Sequence, residues 1–138
     1  MKRPRTTGLL TTFFLTAVML LADSFPARAI DFTATGTILT VTYTEPTQNT
    51  DGTPLDDLAK TNVYYQVGTA AEVKGPDVPA SQPAGGGAIS TQITVAIAAG
   101  QRATVTVRAT ATDSSGNESA KSAAITKTVD RLPPMPPS

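Results

Sequence analysis

Beyond residue 30 the chain alternates apolar and polar residues with a period of two, and that alternation predicts short β-strands. In 37–44, Leu39, Val41 and Tyr43 alternate with Thr40, Thr42 and Thr44. In 62–68, Val63, Tyr65 and Val67 share one face, which turns Tyr64 to the other. Ile89, Ile93, Val95 and Ile97 form the next set, with Thr91 between them. The longest run, 102–113, sets Ala103, Val105, Val107, Ala109 and Ala111 against Thr104, Thr106, Arg108, Thr110 and Thr112. Ala123, Ile125, Lys127 and Val129 close the series more weakly. Val, Ile and Thr are stiff at χ1 and suit a pleated surface. No window carries an apolar stripe of helical period.

Turn-forming residues separate these runs. Glu45 and Pro46 end one strand, and Asn49, Asp51, Gly52 and Pro54 mark a long polar connection. Residues 75–87, from Gly75 and Pro76 to Gly85, Gly86 and Gly87, read as a second loop, with the glycine run as flexible linker. That run has no following Lys-Ser/Thr and no helix, so it is no phosphate cradle. Short turns are expected at 99–101 and at 114–117. Strands at this spacing without helices between them predict an all-β fold, an antiparallel β-sandwich of about seven strands over residues 30–130. Residues 131–138 hold four prolines and read as an extended, solvated tail.

The N-terminal region follows a different pattern. Lys2, Arg3 and Arg5 precede an uncharged apolar run at 9–22, and Ala27 and Ala29 stand where a signal peptidase reads small residues. A run of about 14 residues is short of the roughly 20 that span a bilayer. Residues 1–29 are therefore expected to be a signal peptide cleaved after Ala29, giving a secreted or periplasmic protein. No Cys stands at the cut for lipid attachment.

Composition then narrows the chemistry. The 138 residues include neither His nor Cys. This removes Ser-His-Asp and Cys-His catalysis, zinc sites of the usual ligands, and disulfides. Loss of the signal peptide leaves seven basic residues of eleven and ten acidic of eleven, a net charge near −3 with no Lys/Arg cluster. Nucleic acid is not an expected partner.

Three stretches resemble a fibronectin type III domain of the kind common in bacterial exported and cell-surface proteins. LTVTYTEP at 39–46, DGTPL at 51–55 and NVYY at 62–65 are similar to that family's strand B, B–C loop and strand C. IAAG at 97–100 resembles the turn between strands E and F, and VRATATDSSGNES at 107–119 resembles strand F and the F–G turn. The likeness covers roughly residues 31–130. Tyr43 stands where the family keeps a buried Trp, and Val105 where it keeps a corner tyrosine. The resemblance implies an immunoglobulin-like sandwich without catalysis, cofactor or metal, which binds an unidentified protein, cell-surface or polysaccharide partner. The alternative is a structural subunit that self-associates through exposed sheet edges.

An immunoglobulin-like topology brings the B–C and F–G loops to one pole. Partner contacts are accordingly expected from Asn49, Asp51, Asp113, Ser114, Ser115 and Asn117, and from Tyr64 on the sheet. Glu45, Asp51, Asp56, Asp57, Asp113 and Glu118 would gather there as well. Such a set could coordinate Ca²⁺, but their spacing is not that of an EF-hand loop. Turn capping and surface solvation account for the same residues more simply.

Overall fold

The structure, a computed structural model, describes residues 29–138; the signal peptide expected over 1–29 lies, but for Ala29, outside the described residues. The described chain forms seven strands: β1 (Asp31–Thr35), β2 (Ile38–Thr44), β3 (Leu58–Val67), β4 (Val73–Pro79), β5 (Ala88–Thr94), β6 (Arg102–Asp113) and β7 (Ile125–Asp130). They build two sheets, one in the order β1-β2-β5 and the other β4-β3-β6-β7. Every neighbouring pair is antiparallel. The expected all-β sandwich is the observed one.

The inward face of each alternating run fills the space between the sheets. Phe32, Leu39, Val41, Tyr43, Val63, Ile93, Val95, Ile97, Val105, Val107 and Val129 form one buried cluster, and Tyr65 packs against it. Tyr43 brings a hydroxyl into this interior. It meets the Thr61 Oγ1 at 2.6 Å, so neither polar group is left unpaired. At the β1/β7 seam Lys127 of β7 donates to the Phe32 carbonyl at 2.7 Å and pairs with Asp31. That one side chain ties the first strand to the last.

Two departures from the alternation-based reading stand out. Residues 75–79, expected as the start of the loop 75–87, belong to the edge strand β4. Pro76 and Pro79 suit an edge, where a missing N–H disrupts no second ladder. Between Asn62 and Tyr64 the β3–β4 register shifts, and Gly75 sits in that bulge. A Cβ there would come within 3.0 Å of the Val63 carbonyl oxygen.

The glycine run is packed rather than flexible. Glu45, only 3% exposed, accepts hydrogen bonds from the Ser81 N–H at 2.8 Å and the Gly87 N–H at 3.1 Å, and from the Ser81 hydroxyl. Its carboxylate thereby binds 81–87 to the end of β2. Gly85 is buried at φ +64°, and a Cβ there would overlap the Pro46 carbonyl oxygen.

All the β2-end, β3-start and β6-end residues lie at one pole, as the pairings Leu58↔Asp113 and Thr44↔Ala88 require. Asp130 pairs with Arg102 at the other pole, from which the tail departs. The described chain therefore enters at one pole and leaves at the opposite one.

Gly85→Ala is expected to lower the urea midpoint well below that of Gly100→Ala. Both glycines adopt positive φ, but a Cβ at Gly100 meets open space. Gly100→Ala should cost about 1–2 kcal/mol from the left-handed backbone alone. Equal midpoints would show that the Pro46 contact does not restrain the 81–87 segment.

Candidate functional site

Polar residues of β3 and β6 point outward from the four-stranded sheet, where the chain after β6 folds back over them. β6 ends at Asp113, whose side chain closes the next turn by accepting from the Asn117 N–H and Nδ2, each at 2.8 Å. The returning chain then runs beside β6 before β7 begins. Ser119 and Ser122 replace the missing ladder. Their N–H groups donate to the Ala111 and Ala109 carbonyls, and their hydroxyls accept from the same residues' N–H groups.

This return lays Glu118 across the outer face. Its Oε1 accepts from Thr110 Oγ1 at 2.5 Å, Tyr64 Oη at 2.8 Å and Asn62 Nδ2 at 3.1 Å. Beneath it Asn62 is 1% exposed, with its Nδ2 also within reach of Thr110 and Thr112. Asn62 Oδ1 is the one buried side-chain polar atom without a partner among the described residues. Thr110 and Thr112, on the face opposite Ala109 and Ala111, are buried by this cover.

Charged residues surround Tyr64. Lys121 places its ammonium 4.5 Å from the Tyr64 ring centroid, a cation–π distance. Glu72 accepts from Lys121 and from Arg108, the latter at 3.1 Å. On the other side Lys60 and Lys74 both pair with Asp77, at 2.6 and 2.9 Å. The bulge at Gly75 brings Lys74 and Asp77 to the same side of β4.

Hydrogen bonds from the Thr110 and Tyr64 hydroxyls hold the Glu118 carboxyl below its ordinary range. The same bond pushes the Tyr64 phenol up. Contacts with Lys60 and Lys74 lower Asp77, while Asp77 raises Lys74. The result is an aromatic side chain held in one orientation within a patch of alternating charge.

The expected contact residues fall into two groups. Tyr64 connects through Glu118 to the turn that carries Asp113, Ser114, Ser115 and Asn117. Asn49 and Asp51 spend their side chains within their own loop. Asn49 Nδ2 donates to Thr53 Oγ1 at 3.1 Å, and Asp51 Oδ1 accepts from the Thr53 N–H at 3.0 Å. The two loops do meet, where the Ser114 N–H donates to the Asp57 carbonyl at 2.9 Å.

The acidic residues do not converge. Glu45 is buried against Ser81 and Gly87, Asp51 and Asp113 cap turns, and Glu118 lies on the sheet. Among the described residues no three carboxylates stand close enough to hold a metal ion.

The alternation pattern missed Asn62 as a buried group. A signal was present, because Asn is depleted in strands and here stands directly before the apolar Val63, Tyr64 and Tyr65. No family model, curated protein or solved structure matches this chain.

Glu118→Gln is expected to weaken the acid sensitivity of folding. A folded-state pKa below the ordinary value of 4.5 confers stability above that value, lost as pH falls through the lower folded one. The variant should show a lower urea midpoint at neutral pH and a smaller further drop in acid. Its Tyr64 should also ionise at lower pH in an ultraviolet titration. Identical pH profiles for parent and variant would remove Glu118 from this role.

Proposed function

We propose that the chain is an exported, non-catalytic β-sandwich module that engages a protein, cell-surface or polysaccharide partner through the outer face of its four-stranded sheet. The observation that carries this reading is Tyr64, fixed by Glu118 and Lys121 amid Lys60, Lys74, Asp77, Arg108 and Glu72. Tyrosine is over-represented among the side chains that dominate binding energy. A side chain already held in place loses less entropy when a partner arrives.

The fibronectin type III resemblance gains support from topology. Its stretches fall on β2, on β3, on the turn before β6 and on β6, in the order that the resemblance implies. Export rests on the basic head, apolar run and small-residue cleavage pattern of 1–29. Among the described residues no helix is long and apolar enough to cross a membrane.

Protein purified from the medium or envelope of cells expressing the full chain should begin at Ile30 by mass spectrometry. Immobilised, it should retain a protein or polysaccharide of its producing cell. Tyr64→Ala should cut that retention by at least about 30-fold, the loss of a contact worth about 2 kcal/mol. Its melting temperature should stay near the parent's. Retention undiminished by the substitution, or enzyme-dependent cleavage of a polysaccharide, would refute the proposal.

A further inference from the structure

At the pole where the described chain enters, the two sheets part and leave a groove of about 440 Å³. Its walls are apolar, among them Ile30, Tyr43, Ala109, Ala111, Ala123 and Ile125. The cause lies in the chain's return after β6. Ser119 and Ser122 hold that return against β6, and β7 starts only at Ile125. The residues that bridge the gap, Ala120, Ala123 and Ala124, are too small to fill it. Interiors normally pack to crystal-like density, and a gap this size falls within the range of ligand clefts.

The opposite pole carries the matching feature. The tail is anchored where Arg131 exchanges backbone hydrogen bonds with Gly100 and Gln101, each 2.9 Å, and its guanidinium reaches the Ile97 carbonyl. Past this anchor Leu132 and Met135 are 51% and 91% exposed, two of the four large apolar side chains left in solvent among the described residues. Pro133, Pro134, Pro136 and Pro137 hold the segment extended. An extended Pro-rich segment docks into an apolar groove at little ordering cost.

The geometry points to a second copy of this chain as the occupant: Leu132 and Met135 of one molecule insert into the alanine-walled groove of the next. β7 carries each tail to the pole opposite its own groove, and the prolines stiffen it beyond that point. Leu132 and Met135 stand one and four residues beyond the Arg131 anchor, so at about 3.1 Å per residue Met135 projects roughly 12 Å, enough to enter a molecule stacked directly on that pole. Because tail and groove lie at opposite poles, two stacked molecules cannot reciprocate the contact, so it builds head-to-tail chains rather than dimers. Two side chains in one groove make a small contact of the weak, transient kind, so the link is reversible.

The test is sedimentation of protein purified after expression of the full chain, from micromolar to millimolar concentration. The parent's weight-average mass should rise with concentration. A tail variant, Leu132→Ser with Met135→Ser, should remain monomeric throughout; its substitutions lie outside the core. A groove variant, Ala124→Arg, should also remain monomeric, since its charge sits at the groove's exposed rim. Mixed together, the two variants should form a heterodimer, because one keeps the groove and the other the tail. Tyr64→Ala should associate like the parent, which separates this result from the partner-binding face. A parent that stays monomeric, association that survives either variant, or variants that fail to pair would each overturn the inference.

Discussion

The fold depends on filling the space between two sheets with slender side chains. Six of the buried cluster are valines, and only Phe32 and Tyr43 supply rings. With no disulfide available, this packing is the main source of cohesion. Valine suits a strand and interdigitates well, so the interior closes tightly around Val41, Val105 and Val107. Toward the entry pole the inward positions of β6 become Ala109 and Ala111, and the facing return is alanine-rich. Side-chain volume runs out there before the sheets meet, which is why the groove opens at that end.

Buried polar groups meet different surroundings at the two faces of β3. On the inner side Thr61 and Tyr43 pair with each other and cost the core little. On the outer side Asn62 Nδ2 reaches Thr110 and Thr112 of β6 and the overlying Glu118, while its Oδ1 stays without a partner. The sheet's outer surface is consequently ordered by a carboxylate that arrives more than fifty residues later in the chain. Tyr64 inherits its orientation from this arrangement, as do the lysines around it.

The two poles divide the molecule's work. The entry pole gathers the loops, the glycine run secured by Glu45 and the open groove. The exit pole is closed by Arg131 against 97–101 and releases a stiff apolar tail. The face of β4-β3-β6-β7 lies between them and adjoins the groove along the return after β6, where Glu118 and Lys121 hold Tyr64 while Ala123 and Ala124 wall the groove. Contact with a partner and linkage between copies therefore use adjoining surfaces.

Period-two alternation is a local property, and it carried the strand content far. The run 102–113 coincides with β6, and the inward positions of β2 and β3 are the buried ones. Tyr64 and Tyr65 divide between the two faces as the alternation requires. β4 was illegible because its Gly75 and Pro76 are loop residues except where an edge bulge accepts them. The glycine run looked like linker because the Pro46 carbonyl and Glu45 carboxylate that crowd it lie some forty residues earlier. Burial of Thr110 and Thr112 was hidden because their cover comes from Glu118 and the chain around it, not from neighbours on their own strand. Residue pattern alone determined that this chain makes strands and which side of most faces inward, because both follow from the pleat. Which polar groups are enclosed, and where the sandwich stays open, was decided only when distant segments met.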